Sequence, residues 1–224
     1  MPRVLLPPYA EPLRYQLDLD VLLESHRYTG HQVVDVSIVS RTARLQLHSR
    51  ELTIDQVSFT DESKRTYPCE AISFNLKRNV VTFDFENELP VGIGKLAITF
   101  AGSLNNQMAG FYRSTYVNIA GERKLMASTQ FEAVDARRCF PCWDEPARKA
   151  VFACSLTVPS ELTALSNMPE SEIKTLGNGR KKVRPCLPRL IFMDKSPVGG
   201  GEVPTACKHS VWSQCGAVSI VVRP

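Results

Sequence analysis

The sequence predicts an all-β, antiparallel sandwich or barrel, and three observations carry that prediction. Apolar residues recur with period two in seven or more short runs. Turn-forming residues separate those runs at nearly regular spacing. No stretch sustains a helical period. Two apolar faces built from such strands would pack as one dry layer roughly 10 Å thick.

The runs follow in order along the chain. Residues 1–12 are proline-rich and extended. Tyr15, Leu17, Leu19 and Val21 alternate with Gln16, Asp18 and Asp20, which marks a strand with one buried face. Val34, Val36 and Ile38 repeat the pattern, so the two runs should pair as a hairpin around a turn at Thr29-Gly30. Leu45 and Leu47 supply the next strand, and Leu52 and Ile54 another. The alternation then slips to Val57 and Phe59, which places a bulge or turn near Asp55-Gln56. Ile72, Phe74 and Leu76, then Val81, Phe83 and Phe85, then Leu96, Ile98 and Phe100 predict three further strands. Residues 102–110 form a loop leading into Phe111-Tyr-Arg-Ser. Phe152, Cys154, Leu156 and Val158 predict a late strand ending at Pro159, with Cys154 acting as a small apolar residue. Asn178-Gly179 is a tight-turn signal that wants positive φ, so a strand should begin at Lys181. Beyond Arg184 the alternation stops.

Composition bounds the function classes. The chain has 224 residues and 43% apolar content, enough for one sizeable core. Its net charge of +4 is unevenly spread, with eight Lys or Arg against two acids in residues 180–224 and nineteen against twenty-one before them. A near-neutral body argues against nucleic-acid binding, and the short cluster Arg180-Lys-Lys-Val-Arg184 reads as a solvated turn. Seven cysteines at irregular spacing make no disulfide framework. No Asn-Xaa-Ser/Thr site occurs, the first thirty residues hold no apolar leader core, and no run reaches the roughly 20 apolar residues of a membrane helix. A reducing cytoplasm, with no membrane contact, is the expected location.

Residues 129–146 are the densest stretch, with two Arg, four acids, two Pro, two Cys and a Trp. Gln130 and Glu132 stand two apart, which in an extended segment puts an amide and a carboxylate on one side. Such a pair suits the grip of a cation such as a peptide's free α-amine, although spacing alone fits a solvated strand face more simply. Pro141 and Pro146 then bracket a constrained turn, which Arg137 or Arg138 would tie to Asp144 or Glu145. Cys139 and Cys142 have Cys-Xaa-Xaa-Cys spacing, but with no second pair and no βαβ setting the spacing reads as coincidence.

These residues carry a resemblance. Thr129-Gln-Phe-Glu-Ala through Ala136-Arg-Arg, and Phe140-Pro-Cys-Trp-Asp-Glu-Pro-Ala, are similar to the N-terminal domain of M1-family zinc aminopeptidases, nearest the puromycin-sensitive type. Leu6-Pro-Pro-Tyr, Pro12-Leu-Arg-Tyr, Gly102-Ser-Leu-Asn, Gly110-Phe-Tyr-Arg-Ser-Thr-Tyr and Ala164-Leu-Ser-Asn-Met fall in family order around them. The resemblance implies a saddle-like β-sandwich over residues 1–183, with its last strands missing. It leaves residues 184–224 as an irregular, divergent and disordered tail, of the kind a frame shift or alternative end produces. By resemblance Gln130 lines the pocket for a substrate's first side chain, and Glu132 helps bind its free α-amine.

The family reaction, zinc-assisted removal of N-terminal residues from peptides, needs His-Glu-Xaa-Xaa-His and a Gly-Xaa-Met-Glu-Asn segment. Neither is present in these 224 residues, and His26, His31, His48 and His209 include no pair at ligand spacing. The expectation is therefore a substrate-cleft domain with no catalytic residue and no metal or cofactor of its own, zinc belonging to the full-length family. Its peptide partner would be met in the whole enzyme, and it would associate with a catalytic domain or homologue. The rival expectations are a non-catalytic interaction module and a truncated product with no role.

Overall fold

A computed structural model describes residues 5–166, 169–185 and 220–223. Its strands are β1 (Ala10–Leu22), β2 (Arg27–Ile38), β3 (Thr42–His48), β4 (Thr53–Asp61), β5 (Thr66–Asn75), β6 (Val80–Leu89) and β7 (Gly92–Ser103). They continue with β8 (Gly110–Val117), β9 (Arg123–Gln130), β10 (Val151–Pro159), β11 (Thr163–Ser166), β12 (Glu170–Leu176), β13 (Arg180–Pro185) and β14 (Ile220–Arg223). Ten strands make one sheet in the order β12-β13-β10-β1-β2-β7-β4-β5-β6-β3, and four make a second in the order β11-β14-β9-β8. The all-β sandwich class is as the sequence predicts. One pairing departs from the antiparallel rule, because β10 returns after a long excursion and lies parallel to β1, from Arg14↔Val151 to Asp20↔Thr157.

The predicted buried faces are the core. Tyr15, Leu17, Leu19 and Val21 of β1, Val34, Val36 and Ile38 of β2, and Leu96, Ile98 and Phe100 of β7 are all almost fully buried. The bulge expected at Asp55 is present, as a register shift between Ile54 and Gln56. Asn178 and Gly179 have φ of 62° and 72°, and β13 starts one residue before the predicted Lys181. That last hairpin is held to the sheet by two ion pairs that reach over β10, Lys182 to Asp18 at 2.7 Å and Arg180 to Asp20 at 2.5 Å.

Three expectations change. The β1–β2 turn lies at residues 23–26, where His26 has φ of 57° and its N–H donates to the Leu23 carbonyl at 3.2 Å. Thr29-Gly30 is inside β2. Gly30 is there because it faces Phe100 of β7, whose ring tip lies 2.2 Å from where a Cβ would stand. On β5 only the first residue of the apolar run, Ile72, packs against the core: Phe74 is exposed, and Leu76 lies past the strand end at 82% exposure. The expected irregular tail falls mostly on residues 186–219 and 224, outside the described residues, while Ile220–Arg223 is a strand pairing with β11 and β9. β12 was hidden from an alternation argument because its two large apolar residues stand three apart, Ile173 exposed and Leu176 at the strand end, leaving no buried parity to read.

Candidate functional site

The dense stretch folds into a buried clip. A 3-10 turn at Ala136–Arg138 leads into residues 139–145, and every residue from Ala136 to Glu145 is buried. Two prolines and an irregular path deny this backbone a full ladder, so its polar groups must find partners elsewhere. They find them on side chains of β1, β2 and β3. The Tyr28 hydroxyl donates to the Arg138 and Cys139 carbonyls at 2.9 and 3.0 Å. Gln32 Nε2 donates to the Pro141 carbonyl at 2.8 Å. The Trp143 N–H donates to the Tyr15 hydroxyl at 3.2 Å, and the Asp144 N–H to His48 Nδ1 at 3.2 Å. His48 and Cys142 also exchange both backbone hydrogen bonds.

The predicted Arg–carboxylate tie is made by Arg137, whose Nε donates to Asp144 Oδ2 at 2.7 Å while Nη2 reaches the Asp144 carbonyl at 3.2 Å. Arg138 turns the other way, to Glu51 between β3 and β4 and to Asp135 at 2.8 Å. Burial pushes the Asp144 carboxyl up, and Arg137 offsets this only in part. Burial, then the nearby Arg137 and Arg78 charges, push His48 down to about 3. Burial also raises the Cys139 and Cys142 thiols well above the ordinary range. Both are inert, protonated core residues, and among the described residues no group of His, Cys, Asp and Glu is arranged to hold a metal ion.

The clip seats the end of the β8–β9 hairpin. Gly110 opens β8 with φ of 69°, and a Cβ there would lie 2.5 Å from Arg138 Cβ, so only glycine lets the hairpin come this close. Gly110 pairs with Gln130, the last residue of β9. Gln130 is half-buried, Phe131 is 8% exposed with its ring edge-on to Phe140 at 5.9 Å, and Glu132 is exposed. The Glu132–Ala133 peptide is cis. Period two covers Gln130 but not Glu132, since the strand has ended. Neither side chain is packed into the core, and the anchored Phe131 separates them.

Sequence reasoning missed Tyr15, Tyr28, Gln32 and His48 as partners of the clip. A signal existed for Gln32: it shares the parity of Val34, Val36 and Ile38, and a polar residue on a buried face needs a partner. His48 gave none, because it is buried out of step with Leu45 and Leu47.

Comparison with known sequences decides the family. Residues 11–184 match the Peptidase M1 N-terminal domain. The chain belongs to the M1 peptidase family. It is 49% identical to Aminopeptidase M1-C of Oryza sativa subsp. japonica over 164 residues, 73% of this chain and 18% of that one. It is 46% identical to Aminopeptidase M1 of Arabidopsis thaliana over 177 residues, 77% of this chain and 20% of the relative. It is 39% identical to the puromycin-sensitive aminopeptidase of Caenorhabditis elegans over 179 residues, 80% of this chain and 19% of the relative. The chain thus spans about a fifth of the relatives it matches. Within the M1 N-terminal domain the densest of the segments that carried the resemblance, in β8, the end of β9 and the clip, are packed together. No helix among the described residues is long and apolar enough to cross a membrane.

Proposed function

We propose that residues 1–183 form one wall of the substrate cleft of an M1 zinc aminopeptidase, with Gln130 and Glu132 meeting the N-terminal end of a peptide. The observation that carries this reading is the position of the two residues: they lie outside the packed core at the open end of β9, in a stretch matching the family domain. Glu132 supplies a carboxylate for the peptide's α-ammonium, and Gln130 supplies an amide beside the first side chain. Zinc, its ligands and the water-activating base come from the catalytic part of the family enzymes, in keeping with the absence of His-Glu-Xaa-Xaa-His from these 224 residues. The cytoplasm is the proposed location. On its own the chain binds peptide ends weakly and hydrolyses nothing, because the opposing wall is not among its residues.

The decisive experiment exchanges the matching domain of the Arabidopsis relative for residues 11–184 of this chain. In that chimera Glu132→Gln should raise KM for a free-amine substrate by about 100-fold, in the range for losing one partner of a desolvated charge pair. An active chimera whose KM ignores the substitution would exclude the assignment. A second reading, docking to a catalytic domain or homologue, is favoured by three exposed apolar residues where β2 ends and β7 begins, Val39, Val91 and Ile93.

A further inference from the structure

The smaller sheet is closed by a strand that comes from far along the chain. β14 lies between β11 and β9, pairing from Thr163↔Arg223 to Ser166↔Ile220 on one side, and at Val221↔Ser128 and Val222↔Ala127 on the other. Among the described residues β9 and β11 do not pair with each other, so removing β14 leaves a gap one strand wide. Among the described residues, β11 has four residues and joins the sheet through β14 alone. The walls of the gap are matched to a strand. Position 222 stands between Ala127 and Ala164, which are 0% and 2% exposed, so the two acceptor strands bring their smallest residues to the same register position.

We propose that this gap is a strand-acceptor slot open to a second copy of the chain, whose Ile220–Arg223 replaces the resident strand. The donor reads Ile-Val-Val-Arg, a β-branched run without Gly or Pro, which suits a strand inserted between two others. Fully extended, the residues between Pro185 and Ile220 span about 100 Å, so the donor of one copy reaches the slot of a neighbour. Each copy carries one donor and one acceptor. Reciprocal exchange keeps every backbone pairing of the small sheet and closes as a two-fold dimer. The resident strand is favoured only by its tethering, an effective concentration on the order of millimolar, so exchange rises with protein concentration. The inference stands apart from the cleft assignment, because it is read from oligomeric state and not from peptide binding.

The test uses the full chain with Ser128→Cys and Val221→Cys, which stand opposite one another in the register, under air oxidation, with disulfides mapped by mass spectrometry after digestion. The doubly substituted chain should form the 128–221 disulfide within one molecule. Mixed singly substituted chains should form it between molecules, in a fraction that grows from micromolar to near-millimolar protein. Val222→Pro in the donor should abolish both products by removing a ladder hydrogen bond. An intramolecular product with none between molecules at any concentration would refute exchange. A folded chain giving neither product would remove β14 from the slot. The unsubstituted chain gives an independent reading by light scattering, where a dimer should grow with concentration. A monomer throughout that range overturns the proposal.

Discussion

His48 is the titrating group on which the clip most depends. Its imidazole accepts a hydrogen bond from the Asp144 N–H and is therefore needed in the neutral form, among the Arg137 and Arg78 charges. With a folded pKa of about 3 against an ordinary value of 6.5, the unfolded chain binds the extra proton first. Stability is thus full above pH 6.5 and is lost as pH falls toward 3, by a few kcal/mol, about 1.4 for each unit crossed. Denaturant midpoints measured between pH 7 and 4 should fall steeply, and His48→Gln should flatten that slope while lowering the midpoint at pH 7. An unchanged slope would mean that another group governs acid unfolding. The buried Arg137–Asp144 pair gives a second prediction at this scale. Arg137→Met strands a buried carboxylate and should cost about 3 to 5 kcal/mol, whereas the double change with Asp144→Leu should recover a large part of that loss. Urea unfolding of the three variants checks it, and equal losses in single and double variants would show that the pair's mutual attraction is not what matters.

At the scale of elements, glycines and aromatics are shared between β2 and β7. Gly30 lies beneath Phe100, and Gly102 lies beneath Tyr28, so each strand contributes one ring and one gap. Gly30→Ala should therefore overpack this junction and cost about 1 to 3 kcal/mol, while Phe100→Leu in the same chain should relieve part of it. Thermal melts of the two single variants and the double variant measure the coupling, and additivity within error would place the strain elsewhere. The same junction explains what the sequence disclosed and what it withheld. Val34, Val36 and Ile38 announce β2 because alternation is a local property, and Ile54 to Val57 announces its bulge for the same reason. Gly30 looked like a turn because glycine's other use, making room for a ring on a neighbouring strand, depends on a residue about seventy positions away. The clip was legible as a constrained turn held by an arginine, but which strands anchor it was not, because its bonds to Tyr15, Tyr28, Gln32 and His48 are long-range, and only the buried parity of Gln32 hinted at a partner. Gln130 and Glu132 could be named from resemblance, whereas the end of β9 between them could not.

Over the whole molecule, the clip exists only when β1, β2 and β3 are all in place, since each contributes a side chain that satisfies its backbone. Opening it is therefore equivalent to losing the large sheet, and Cys139 and Cys142, both buried within it, become reporters of global unfolding. Cys69 differs, being half-buried at a register shift between β5 and β6, with its thiol raised by burial but within reach of solvent. Cys154 on β10 is half-buried like Cys69, and burial pushes its thiol up to about 12. In the folded protein at mildly alkaline pH, alkylation at Cys69 should outpace that at Cys139 and Cys142 by at least about a thousandfold, because the latter wait for an opening that costs several kcal/mol. Cys139 and Cys142 should also accelerate together with urea, with the slope of global unfolding, while the amides of the exposed edge strand β12 exchange by a shallower, local route. Site-resolved alkylation by mass spectrometry beside hydrogen exchange separates these cases. Modification of Cys142 at the rate of Cys69 would show the clip to be a detachable loop rather than the part on which three strands converge.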